Sequence, residues 1–152
     1  MADSDLKVYR RKLPHWRLRG SMYFVTWRLR CDQGVLAPEE REVVFAALRH
    51  FDGERYELPA YVVMDDHVHV LVRPLGDVRL ERIVHSWKSY TSHVLRPGSR
   101  GLWQQEYFDR IVRDEPELLE KARYILDNPT RRWPEITDYK WVGQHGGPGA
   151  PE

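Results

Sequence analysis

Apolar and polar positions along the chain change between two periods, which predicts a mixture of strands and helices. Alternation at every second residue, with many β-branched and aromatic side chains, predicts strands over Ser21–Arg30, Tyr56–Met64 and His67–Pro74. Leu102–Arg113, which is also rich in aromatic and β-branched residues, is predicted as a fourth strand or strand-like hairpin.

Three other segments repeat apolar residues every three or four positions, as amphipathic helices do. The first two are predicted over Pro38–Phe51 and Leu80–Leu95, each followed by a turn containing glycine. The last begins near Asp114, which has capping-box spacing to Glu117. It is expected to end near Asn128, because the residue before a proline is disfavoured in helical conformation.

The predicted order is β-α-β-β-α-β-α, and its first six elements match the ferredoxin-like, or split βαβ, arrangement. We therefore expect an α+β fold with an antiparallel sheet, helices on one face and an additional C-terminal helix. The other face, or a groove beside it, is expected to be free for a ligand. Residues 1–142 are predicted to form one domain with a basic arm at 7–20, followed by a flexible tail rich in glycine and proline at 143–152.

Composition narrows the class of protein. The single cysteine, Cys31, excludes a disulfide framework and a cysteine zinc site. No stretch is long and apolar enough for a membrane span and no secretory signal opens the chain, so we expect a cytoplasmic protein.

The net charge of +1 hides an uneven distribution of charges. Positions 7–30 contain no acidic residue, and their basic residues are Lys7, Arg10, Arg11, Lys12, Arg17, Arg19, Arg28 and Arg30. Such a surface favours a polyanion such as nucleic acid. A solvated basic arm without a partner is the alternative.

A pair of histidines opens the third predicted strand. His67 and His69 are two residues apart, so their side chains share one face of the strand while Val68 and Val70 point to the other. Two neighbouring imidazoles can bind one metal ion, because each offers a nitrogen lone pair. Alternatively, the pair consists of two surface histidines without a ligand.

The last predicted helix presents Tyr124 and Asn128 four residues apart, on a face well away from its apolar stripe. Tyr124 is thus not needed for the helix's own core contacts, and either packs under the basic arm or takes part in chemistry. A tyrosine hydroxyl can attack a phosphodiester and form a covalent phosphotyrosine. An amide oxygen of Asn128 is a candidate third metal ligand, and together with phosphate oxygens this set suits Mg²⁺ or Mn²⁺, although imidazole alone would favour zinc.

Three ordered motifs resemble one known family. Val62–His69, ending in His67-Val68-His69, resembles the HUH motif of single-strand DNA transposases with one catalytic tyrosine. Tyr124–Pro129 resembles the Tyr-Ile-x-x-Asn-Pro signature of their REP-associated tyrosine transposase branch. Leu102–Arg110 resembles that branch's Trp-Gln-x-x-Tyr-x-Asp-Arg segment. The resemblance covers roughly residues 10–141.

The resemblance implies a ferredoxin-like fold, a divalent metal bound by the histidines, and a tyrosine that attacks single-stranded DNA beside a hairpin. Carried over to this chain, Tyr124 is the nucleophile and His67, His69 and Asn128 are the metal ligands. The family usually has Pro-Asn or a similar pair before the histidines. This chain has Asp65-Asp66, which we expect to build the turn rather than to bind the metal.

Basic residues around these motifs are candidates for tracking the DNA backbone. They are Arg10, Arg11, Lys12, Arg17, Arg19, Lys88, Arg110, Arg131 and Arg132. Tyr90 is a rival nucleophile, but it has no ligand partner at helical spacing.

The leading hypothesis is an enzyme that nicks and rejoins single-stranded DNA at hairpin-forming repeats through a 5′-phosphotyrosine. One alternative is a domesticated, non-cleaving DNA hairpin-binding protein, and another is a small metal-dependent hydrolase that uses an activated water. The short connection over Arg113–Glu117 favours a monomer over a homodimer that exchanges the tyrosine helix.

Overall fold

The computed structural model describes residues 20–145, which form five strands and three α-helices. The strands are β1 (Met22–Arg28), β2 (Tyr56–Val63), β3 (His67–Pro74), β4 (Phe108–Val112) and β5 (Val142–Gln144). The helices are α1 (Pro38–Arg49), α2 (Leu80–Leu95) and α3 (Glu115–Arg132).

All strand pairs are antiparallel, and the order across the sheet is β4-β1-β3-β2-β5. The first four strands follow the ferredoxin-like order, so the predicted fold class is confirmed. The central pair of β1 and β3 places Arg28 opposite His67 and Thr26 opposite His69. The start of β3 therefore lies beside the end of β1.

The sheet has a hydrophobic core on each face. On one face, Trp27, Val68 and Val70 pack with residues of α1 and α2. On the other face, α3 packs its apolar stripe onto β1, β2 and β3. The expectation that this second face is free for a ligand is therefore wrong for the part that α3 covers.

Helix α3 continues past the predicted end at Asn128 and includes Pro129. A proline lacks the N–H that would bond to the carbonyl four residues earlier, which removes one helical hydrogen bond. Here the helix runs only three residues further, and the backbone N–H of Trp133 caps it by donating to the Pro129 carbonyl. Pro129 itself is buried against the rest of the domain.

The fourth strand is shorter than predicted. Only Phe108–Val112 pairs along β1, while Trp103 forms an isolated bridge with Leu29. The segment before β4 is therefore an irregular connection, and β4 is an edge strand of the sheet.

The predicted boundary of the tail at residue 143 falls inside β5, which pairs with β2. Gly143 lies against the Tyr61 ring, and a side chain at this position would collide with the ring. The glycine-rich composition predicts flexibility, but Gly143 here permits close strand pairing. Residues 7–19 of the basic arm and residues 146–152 lie outside the described residues. Over residues 20–145, no helix has the length and apolar character needed to cross a membrane.

Candidate functional site

His67 and His69 lie at the start of β3, on the sheet face that α3 covers. Their ring centroids are 4.6 Å apart, and both side chains are buried. The prediction that they share a face is confirmed, because Val68 and Val70 belong to the opposite core. The strand thus holds two imidazoles in contact at one point.

The environment of His69 keeps its ring neutral. Burial lowers its pKa to about 3, and the positive charges near it, at His67, Arg28 and Arg131, act in the same direction. Nδ1 of His69 lies 2.7 Å from Oγ1 of Thr26. Nε2 is buried and has no hydrogen-bond partner among the described residues. If the proton is on Nδ1, where the threonine oxygen accepts it, the lone pair of Nε2 is left for a ligand.

His67 is oriented by a carboxylate. Its Nδ1 lies 2.6 Å from Oδ1 of Asp66. Burial would raise the pKa of Asp66, but the hydrogen bond to His67 and the positive charges of His67, Arg132 and Arg28 outweigh it and hold this pKa below its usual range. A carboxylate that accepts from Nδ1–H leaves Nε2 as the donor atom for a metal, an arrangement common around metal-binding histidines. The sequence suggests only a role in the turn for Asp66. The structure shows that Asp66 also orients His67.

The neighbouring Asp65 connects this turn to α3. Its side chain is buried, and Oδ2 accepts a 2.9 Å hydrogen bond from Nη2 of Arg132. Nη1 of Arg132 also lies 3.8 Å from Oδ1 of Asp66. The end of the helix and the turn before the histidines are thus held together by one guanidinium group.

Tyr124 projects from α3 onto the histidine pair. Its ring centroid is 5.2 Å from that of His69, in an edge-on orientation, and 6.0 Å from that of Phe24. The side chain remains 39% exposed, so a ligand in solution can reach it. Cζ of Arg131 lies 4.3 Å from the centroid of the same ring. The Tyr124 ring therefore lies between His69 and the guanidinium group of Arg131, and His69 in turn contacts His67.

The burial of Asn128 differs from what its position on the helix suggests. The sequence placed it on a face well away from the apolar stripe, whereas the structure buries it to 8% exposure. Asn128 is buried although it lies off the apolar stripe, because the C-terminal end of α3 packs against the sheet and the segment that follows it. Tyr124, one turn earlier, is partly exposed.

The donor atoms present fit a divalent metal. His67 and His69 each offer an imidazole nitrogen, and the unpartnered Nε2 of His69 is the orphaned polar atom that such a ligand would satisfy. Over residues 20–145, no group of three His, Cys, Asp or Glu side chains is arranged to hold a metal. A complete site therefore needs an oxygen from another residue type, from DNA or from water.

The structure separates the predicted DNA-binding residues into groups. Arg131 and Arg132 lie at the site, and Arg110 on β4 forms an ion pair with Glu117. Lys88 lies on α2, on the opposite face of the sheet, and donates to the carbonyls of Gln104 and Gln105. Its partial burial lowers the pKa of Lys88. The remaining candidates, Arg10, Arg11, Lys12, Arg17 and Arg19, lie outside the described residues.

Tyr90, the rival nucleophile, is exposed on α2. Helix α2 packs on the core of the other sheet face, so Tyr90 is remote from the histidine pair. The structure therefore brings only Tyr124 of these two tyrosines to His69.

Sequence reasoning missed three residues of β1 at the site. Phe24 stacks on His69 with centroids 5.6 Å apart, Thr26 contacts Nδ1 of that histidine, and Arg28 lies opposite His67. That these three residues lie on one face of β1 was visible in the sequence, because they are spaced two residues apart. The pairing of β1 with β3, which brings them to the histidines, was not.

Comparison with known proteins gives consistent matches. The family model described as "Transposase IS200 like" matches residues 19–128. The fold is similar to that of a REP-associated tyrosine transposase bound to a REP hairpin, with a TM-score of 0.69 and 21% identity over 86% of this chain and 80% of that one. It is also similar to a candidate transposase from Deinococcus radiodurans R1, with a TM-score of 0.50 and 22% identity over 70% of this chain and 88% of that one. A search of curated proteins finds no significant match.

Proposed function

Because the chain belongs to the IS200-like transposase family, we propose that it cuts and rejoins single-stranded DNA at hairpin-forming repeats, with Tyr124 as the nucleophile. The observation that carries this proposal is the contact between Tyr124 and His69, whose ring centroids are 5.2 Å apart. The hairpin partner is supported by the similar fold of the REP-associated tyrosine transposase bound to a REP hairpin.

The proposed reaction exchanges one phosphoester for another. The hydroxyl oxygen of Tyr124 attacks phosphorus, the bond from phosphorus to the 3′ oxygen breaks, and the DNA becomes linked to the protein as a 5′-phosphotyrosine. The proton lost by the tyrosine is balanced by the proton gained by the 3′ oxygen. Rejoining is the reverse step, in which a 3′ hydroxyl attacks the phosphotyrosine and releases Tyr124. No oxidant or nucleoside triphosphate is required.

We propose that His67 and His69 bind a divalent metal through Nε2, with the amide oxygen of Asn128 as a third ligand and with Mg²⁺ or Mn²⁺ as the ion. Bound there, such an ion supplies positive charge that polarises the phosphate. Asp66 and Thr26 prepare the two histidines by occupying their Nδ1 atoms, at 2.6 and 2.7 Å respectively.

The cationic side chains around Tyr124 have distinct proposed roles. Arg131, whose guanidinium carbon lies 4.3 Å from the centroid of the Tyr124 ring, binds the phosphate that the hydroxyl attacks. Arg132 is held by Asp65, and it fixes α3 relative to the histidines. Arg110 and the basic arm, which includes Arg10, Arg11, Lys12, Arg17 and Arg19, bind the hairpin backbone.

We propose that one chain builds the site as a monomer. The support is that Tyr124 and His69 of the same chain are already in contact, so no exchange of α3 is needed. We further propose that the protein acts in the cytoplasm. The exposed free thiol of Cys31 suits a reducing compartment.

A covalent-adduct assay tests this function. A fluorescently labelled single-stranded oligonucleotide with a hairpin is incubated with protein and Mg²⁺ or Mn²⁺, and adducts are resolved on a denaturing gel. We expect adducts from the wild type and from Tyr90→Phe, the matched control, but none from Tyr124→Phe.

Two results would count against the proposal. If the wild type forms no adduct over a panel of hairpins and flanks, the non-cleaving binder is favoured. If Tyr124→Phe still cleaves while His67→Ala does not, the protein is a metal-dependent hydrolase that uses water.

A further inference from the structure

Phe108 is a large aromatic side chain that the fold leaves 58% exposed. It begins β4, an edge strand, and its Cα partner on β1 is Thr26. Paired residues of antiparallel strands project from the same face of a sheet. Phe108 therefore stands on the face of the histidine pair, immediately beside the threonine that contacts His69.

A cationic side chain stands on the same face of the sheet, two residues along β1 from the strand partner of Phe108. Arg28 is exposed, and it shares the face of Thr26 because the two are separated by one residue on β1. Arg28 is also the Cα partner of His67. Among the described residues, no hydrogen bond or ion pair occupies its guanidinium group.

We infer that Phe108 and Arg28 form a nucleotide-binding subsite for the DNA residue next to the cleaved bond. The base stacks on the Phe108 ring, and Arg28 contacts a flanking phosphate. An aromatic platform beside a cation is how proteins bind single strands without reading their sequence. This inference rests on the proposed function, because it uses the same DNA strand that Tyr124 attacks.

A second copy of the chain that pairs with the β4 edge fits this surface less well than a DNA strand does. The strand reads Phe-Asp-Arg-Ile-Val, and Arg110 is its central residue. Antiparallel pairing of two copies about that centre would place Arg110 opposite Arg110, and like charges in directly opposed positions are destabilising. It would also set Phe108 opposite Val112, which is already buried. The charge of Arg28 instead complements a phosphate backbone.

Binding measured without cleavage tests the subsite. Fluorescence anisotropy follows a fluorescein-labelled single-stranded oligonucleotide of about 12 nucleotides in EDTA, a length within the site sizes of single-strand binders. Phe108→Ala should weaken binding about tenfold, which is the loss expected for one stacked base. Phe108→Tyr, which keeps an aromatic ring, should bind as the wild type does. Ile111→Ala is the matched control, because Ile111 is exposed on the same strand but points to the other face.

Three outcomes would overturn the subsite. They are equal binding by Phe108→Ala and Ile111→Ala, wild-type binding by Phe108→Leu, and a wild-type dimer that Phe108→Ala converts to monomers without loss of DNA binding. The adduct assay separates this inference from the proposed function. If the wild type forms adducts but Phe108→Ala binds normally, only the subsite fails. If the wild type forms no adduct but Phe108→Ala binds about tenfold more weakly, the subsite stands without the cleavage function.

Discussion

Oγ1 of Thr26 lies 2.7 Å from Nδ1 of His69, and this contact links β1 to the strand that carries both histidines. Because burial keeps His69 neutral, one ring nitrogen carries a proton and the other carries a lone pair. With the proton on Nδ1, Oγ1 of Thr26 accepts a hydrogen bond from this nitrogen, and the lone pair of Nε2 is left for a ligand.

We therefore expect Thr26→Val, which keeps the shape of the side chain but removes the hydroxyl, to weaken metal binding. Partners of this kind are worth about 10- to 100-fold in metal affinity. Titration with Mn²⁺, followed by electron paramagnetic resonance, measures the effect directly. Thr26→Ser retains a hydroxyl and should bind Mn²⁺ close to the wild-type affinity. Equal affinities for the valine and serine variants would contradict this role.

Arg132→Ala should destabilise the protein by about 2 kcal/mol, because it leaves the buried carboxylate of Asp65 without its partner. Urea denaturation measures the change in the free energy of unfolding. Arg123→Ala is the control on the same helix, since Arg123 forms only a 3.7 Å ion pair with Asp127 near the surface. Its loss should cost about 0.5 kcal/mol or less. Similar losses from both variants would show that Arg132 has no special structural role.

Glu40 gives a prediction about pH. Its Oε2 accepts a 2.5 Å hydrogen bond from Arg96, and Oε1 accepts one from the N–H of Ala37 at the start of α1. The bond from Arg96 is the main cause that holds the pKa of Glu40 below its ordinary value of 4.5. A depressed pKa contributes stability that is complete above pH 4.5 and is lost as the pH falls through the lowered pKa.

Glu40→Gln removes the charge but keeps an oxygen for the cap, so it should cost about 1 kcal/mol at neutral pH. In urea denaturation, the difference from the wild type should shrink as the pH falls below 4.5. Glu39→Gln, an exposed change in the same turn, serves as the control. A difference that stays constant with pH would contradict the ion-pair account.

The elements that local patterns define were predicted well. The ends of β3 and α2 agree with the structure, because strict alternation and a helical period bounded by turn residues carry the information within the segment. β5 was missed, because three residues including a glycine carry no pattern until β2 offers the Tyr61 ring as a neighbour. Pro129 predicts the end of the helix from local sequence alone, whereas its place inside α3 depends on packing at the end of that helix.

The candidate site, like the fold, could be predicted from the sequence only in part. His67, His69 and Tyr124 stand out by residue type and spacing, and the structure brings His69 and Tyr124 into contact. The residues that support them come from other strands and turns. Thr26 reaches His69 only because β1 pairs with β3 in one register, and a shift of one residue would turn it to the other face.

The last prediction concerns Arg131, which we place on the phosphate beside Tyr124. Arg131→Ala should slow adduct formation about a hundredfold, as the loss of one donor to a reacting oxyanion does. It should also lower the slope of log affinity against log salt by about 0.7, the value for one phosphate contact on a single strand. Arg123→Ala, one residue before Tyr124 on the same helix, should change neither quantity.

Arg131→Lys separates charge from geometry at this position. Lysine keeps the positive charge, so the salt slope should return to that of the wild type. It lacks the planar fork of the guanidinium, so adduct formation should recover only in part. If Arg131→Ala slows the reaction without changing the salt slope, Arg131 acts only through its contact with the Tyr124 ring, 4.3 Å away, and the phosphate role is wrong.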